Sequence, residues 1–185
     1  AGVVGVFRAG GVLVAMFHQR GDWWAYKTQA GGRPLDALDE LLGDDATVDP
    51  LIEALQDAAL LADMLRVSGL LGQGAAAEGK RAVAIESAVT AARGMDVSDE
   101  AARAQAFEAL FAAFHTQAGK ARACKPTKAL IKAIGDEHAQ TLVTLHTTLC
   151  ETLTAFQARR QEARVRAVNA ALFALGDALI DRYQA

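Results

Sequence analysis

The chain has 185 residues, a formal net charge of -3, and 52% hydrophobic against 22% charged residues. That length buries a core without a metal or disulfide staple, and that composition excludes an intrinsically disordered chain. The slightly acidic balance excludes a molecule that meets polyanions over its whole surface.

The first stretch, AGVVGVFRAGGVLVAMF, is apolar. It is too short, and too broken by Arg8 and glycines, for a membrane-spanning helix of about 20 residues. Neither the basic start nor the small-residue cleavage site of a signal peptide is clear in it, and a targeting segment upstream stays open. Runs at Val3–Phe7, Val12–Phe17 and Trp23–Gln29 are separated by Gly10-Gly11 and by Gln19–Asp22. β-branched and aromatic runs broken by turn residues predict a small antiparallel β-meander over residues 1–32. Arg20-Gly21-Asp22 then falls at a turn, where Gly and Asp are ordinary occupants, and it is not read as an adhesion motif. Alternation along the third strand leaves one of its aromatic faces free, so Trp23, Trp24 and Tyr26 are expected at a subunit interface.

Beyond residue 32 the chain is alanine-rich, with only three prolines in all, which favours long helices. Residues 33–185 are predicted to form a helical domain, one structural unit with the meander. Pro34 opens a helix that ends at Gly43. Asp49-Pro50 opens a second that runs to about Leu71, and a third spans about Ala75 to Arg93. Ser98-Asp99-Glu100 starts a fourth, which carries Phe107, Leu110 and Phe114 and ends at Gly119. Pro126 precedes a short fifth helix that Gly135 closes. The last is expected from Glu137 to Tyr183, about 70 Å if unbroken. Along it Leu142, Leu145, Leu149 and Phe156 repeat at 3-4 spacing and are expected at a helix–helix interface between subunits. After the polar QARRQEARVR, residues Val165, Val168, Leu172, Leu175 and Leu179 resume that spacing in a shifted register. Either the helix kinks near Arg159 or its halves bury against different partners. The fold class is therefore mainly α: a helical bundle with a long C-terminal helix and the small meander, α+β being the alternative.

Charge is segregated. Residues 36–63 hold nine acids and no base, and residues 120–132 five bases and no acid, so these two segments are expected to meet within a chain or across a dimer. Asp36 with Glu40, and Glu53 with Asp57, lie one helical turn apart and could together hold Mg²⁺. The segment EALQDAALLAD resembles the second acidic helix of the all-α, MazG-like nucleotide pyrophosphatases. That family pairs E-x-x-E with E-x-x-D, whereas Glu53 and Asp57 are spaced E-x-x-x-D. The extra residue rotates one carboxylate by about 100°. The resemblance implies a divalent-metal-dependent nucleotide phosphohydrolase. Lys120, Arg122, Lys125, Lys128 and Lys132 could contact phosphates, and the short helix, Gly135 and the following helix suggest a helix-turn-helix.

Cys124 and Cys150 fit no zinc spacing and have no neighbouring base in sequence; two reduced thiols in a cytoplasmic protein are expected. The four histidines are read as surface or satisfied groups. No catalytic motif, cofactor or resident metal is expected. The leading expectation is a non-enzymatic, oligomeric interaction or regulatory protein, a homodimer with no membrane partner. A DNA-binding regulator and the phosphohydrolase are the alternatives.

Overall fold

A computed structural model of the chain describes residues 49–184. The expectations for the β-meander, the helix at Pro34, Trp23, Trp24, Tyr26, Asp36 and Glu40 lie outside the described residues. Within them the protein is mainly α. The elements are α1 (Pro50–Gln56), α2 (Ala58–Leu71), α3 (Ala76–Gly94), α4 (Glu100–Phe114), α5 (Lys128–Ile134) and α6 (Asp136–Gln184). The chain divides into two units, residues 46–161, and residues 1–45 with 162–185.

Each start has a local cause. Asp49 accepts from the amide of Leu51 and Pro50 stands in the first turn of α1. Asp99 accepts from Ala101 and Ala102 at α4, and Thr127 from Leu130 at α5. Such caps satisfy amides that the helix itself leaves open, at about 1 kcal/mol each. Gly135, at φ 82°, closes α5 with its N–H on the Ile131 carbonyl, a left-handed conformation that suits glycine.

Two elements depart from the sequence reading. The helix expected from Pro50 to Leu71 is two helices. Asp57 is extended (φ -69°, ψ 97°), and its carboxylate accepts from the amides of both Ala59 and Leu60. An aspartate that caps a new start competes successfully with continuation of the old helix. The fourth helix ends at Phe114, five residues before Gly119. There His115 bridges Ala121 antiparallel, the Arg122 amide bonds the Phe114 carbonyl at 2.8 Å, and Gly119 turns the chain at φ 74°. The last helix is one 49-residue element. Its first half belongs to the core of unit 46–161.

That core is built from Leu51, Leu55, Met64, Val67, Ile85, Val89, Phe107, Leu110, Phe114, Leu130, Leu142, Leu149, Leu153 and their neighbours. Ser68, fully buried on α2, donates to the Ala82 carbonyl and contacts Glu86 Oε1, both at 3.0 Å. This ties α2 to α3 where both are dominated by small and apolar side chains.

Candidate functional site

Three features outlast the account of the fold: a buried polar chain, a lysine-rich segment and an apolar stripe. The buried chain joins α3, α4 and α6. His146 and His115 are 2% and 1% exposed and Cys150 is 4%. Arg81 Nη2 lies 3.0 Å from His146 Nε2. A guanidinium only donates, so Nε2 is the acceptor and Nδ1 carries the ring proton. Nδ1 is 3.6 Å from Cys150 Sγ, and the Cys150 thiol is 3.7 Å from the Phe114 carbonyl that accepts from it. The second guanidinium nitrogen reaches the Ala123 carbonyl at 3.4 Å. His115 stacks on Phe111 at 3.9 Å between ring centres. Its Nε2 is 3.1 Å from Thr154 Oγ1, whose hydroxyl donates to the Cys150 carbonyl at 2.8 Å.

The electrostatics of these buried groups run against a nucleophilic Cys–His pair. Burial, then the charge of Arg81, then His115, push the His146 pKa down to about 4. Burial raises the Cys150 thiol to about 11, against a smaller lowering by Arg81. Burial lowers His115 and raises Cys124 as well. A nucleophilic Cys–His pair needs the opposite, a thiolate beside a charged imidazole. These groups stay neutral and act as an internal hydrogen-bonded strut. The sequence reading gave neither cysteine a neighbouring base. The i, i+4 spacing of His146 and Cys150 was the available signal, since it stacks both on one face of a helix.

The apolar positions of α6 divide. Leu142, Leu149 and Phe156 are 0%, 3% and 8% exposed inside the chain's own core, and Leu145 packs against that core. Their seam is filled within the chain. The second half of α6 differs: Val165, Val168, Leu172 and Leu175 are 47%, 58%, 38% and 45% exposed. They make up all but Val83 of the large exposed hydrophobic residues among the described ones.

Three acids of the segment 36–63 are engaged, Asp49, Glu53 and Asp57. Glu53 accepts from Arg159 at 2.7 Å, and that hydrogen bond holds its carboxyl below the usual range. Asp57 caps α2. Asp49 pairs with Arg103 at 3.3 Å and Glu108 with Arg160 at 2.5 Å. Thus Asp49 and Glu53 meet arginines of α4 and α6, not residues 120–132. No group of three or more His, Cys, Asp or Glu is placed to hold a metal among the described residues. None of the described helices is long and apolar enough to cross a membrane.

Lys120, Lys125, Lys128 and Lys132 are exposed. Arg122 instead braces the fold, because its Nε donates to the carbonyls of His115 at 2.9 Å and Ala112 at 3.3 Å, across the end of α4. Between α3 and α4 lies a groove of about 310 Å³ lined by Ala84, Ser87, Ala88, Ala109, Ala112 and Ala113. Its walls are almost all methyl groups, and it assembles no reactive set.

Comparison with family models, with curated proteins and with solved structures gave no match to this chain.

Proposed function

We propose that the protein is a non-enzymatic, oligomeric interaction or regulatory protein that works through helix-mediated contacts, as a homodimer. One observation carries this reading: the exposed stripe Val165, Val168, Leu172 and Leu175 on α6. Its steps of three, four and three residues repeat the coiled-coil interval, and a water-facing run of large apolar side chains at that interval suits a facing helix. A second copy supplies an identical stripe, so an isologous pairing needs no further component. The buried Arg81–His146–Cys150 chain supports the non-enzymatic part, because its thiol and imidazole are both held neutral.

Light scattering at micromolar concentration tests the assembly, with twice the 19.5 kDa chain mass expected. Val168→Glu with Leu172→Glu should return a helical monomer. A wild-type monomer at that concentration overturns the proposal.

A further inference from the structure

From His115 to Gly135 the chain has five Lys and Arg residues and no carboxylate, although it carries 22 acids overall. The ion pairs among the described residues, Arg103–Asp49, Arg159–Glu53 and Arg160–Glu108, all lie elsewhere. Lys120, Lys125, Lys128 and Lys132 point into solvent with no acidic partner among the described residues. A face built only for solubility mixes both signs.

The lysines stand on a tethered segment. Arg81 donates to the Ala123 carbonyl. Arg122 ties the segment to the end of α4. Lys128 and Lys132 are four residues apart on α5, so they share one face with Cβ atoms about 5–6 Å apart. Ala129 and Ala133 beside them are exposed and small, so nothing bulky keeps a flat polyanion away.

The rest of this surface selects the partner. Among the described residues the large exposed hydrophobics are Val83, Val165, Val168, Leu172 and Leu175, and none lies in residues 115–135. An amphipathic segment that enters an anionic membrane needs an apolar face, and a protein docking site needs an apolar or aromatic centre. No Phe, Tyr or Trp occurs from Thr116 to Gly135, so unstacked bases of a single strand have no platform. A duplex backbone asks only for flexible point charges at its phosphates. Asp136 and Glu137, exposed at the start of α6, place negative charge where a recognition helix would enter a groove. The geometry points to a surface made by Lys120, Lys125, Lys128 and Lys132 that binds the phosphate backbone of duplex nucleic acid without reading its bases. It shares no residue with the α6 stripe, so its failure and that of the dimer are separate events.

Fluorescence anisotropy of the full chain with a labelled duplex of about 25 base pairs tests it, over about 25 to 200 mM NaCl. Four phosphate contacts predict a log–log salt slope of about -3.6, from about -0.9 per contact. A shuffled sequence should bind equally. Lys125→Glu with Lys128→Glu and Lys132→Glu should weaken binding by at least about tenfold at low salt while circular dichroism stays unchanged. No binding at the lowest salt, or equal binding by the triple variant, overturns the assignment. So does binding of phosphatidylserine vesicles or polyglutamate in place of the duplex.

Discussion

Arg81 and His146 meet at 3.0 Å in the interior, and this contact adds to burial in keeping the imidazole neutral. A permanent cation that donates to Nε2 both takes up that nitrogen's lone pair and repels a second positive charge. Acid must therefore either break the contact or unfold the protein around it.

Stability should fall as pH drops through the window from about 6.5 to about 4. His146 titrates near 4 when folded and at its ordinary value of 6.5 when not, so the unfolded chain binds the extra proton first and gains from acid. The ceiling is about 3 kcal/mol, reduced by whatever solvent relaxation the site allows. Burial of His115 acts in the same direction. Above pH 6.5 both states hold neutral rings and this contribution is constant. Urea midpoints at pH 7 and pH 5 measure the slope. His146→Gln should flatten it, even if it lowers stability at pH 7. An equal slope in His146→Gln would refute the account.

The thiols should be inert in the native state. Cys150 is 4% exposed with its thiol raised to about 11, and Cys124 is half-buried and also raised. Thiolate is the reactive form, so native protein should react with a disulfide reagent near pH 7.5 orders of magnitude more slowly at Cys150 than unfolded protein does. Mass mapping of the labelled site after a short pulse checks this. Rapid native labelling of Cys150 would mean that α6 opens readily at His146.

Much of the helical plan was legible because its signals are local. Asp49-Pro50, Asp99, Thr127 and Gly135 mark helix ends through contacts within a few residues. The apolar faces were equally legible, but their occupants were not. Periodicity marks Leu142, Leu149 and Phe156 as a seam, yet only the fold shows that the chain's own core fills it. The polar chain was hidden for the same reason. His146 meets Arg81 across 65 residues and His115 meets Thr154 across 39, separations that leave no periodic trace. Asp57 was misread because an acid in EALQDAALL looks like part of a solvated helical face.

Replacing that acid tests whether capping or an unfavourable sequence breaks the helix, and with it the metal-site alternative. Asp57 Oδ1 accepts from Ala59 and Leu60, both at 3.0 Å. If this cap makes the break, Asp57→Ser should keep most of the stability, because a hydroxyl accepts from the same amides. Asp57→Ala should cost about 1 kcal/mol, or about 2–4 °C in Tm for a chain of this size. The alanine also removes the incentive to break, so some loss would be recovered if α1 and α2 fused. Leu51, Leu55, Leu60 and Leu61 are all at most 6% exposed in the present broken arrangement. Fusion would rotate one set out of the core, and the full loss should therefore be seen. Millimolar Mn²⁺ should raise the Tm no more than NaCl at matched ionic strength, in wild type and in Asp57→Ser alike, because Glu53 is held by Arg159 and Asp57 by two amides. A Mn²⁺-specific rise of several degrees that Asp57→Ser abolishes would show that this carboxylate serves a metal and not the helix.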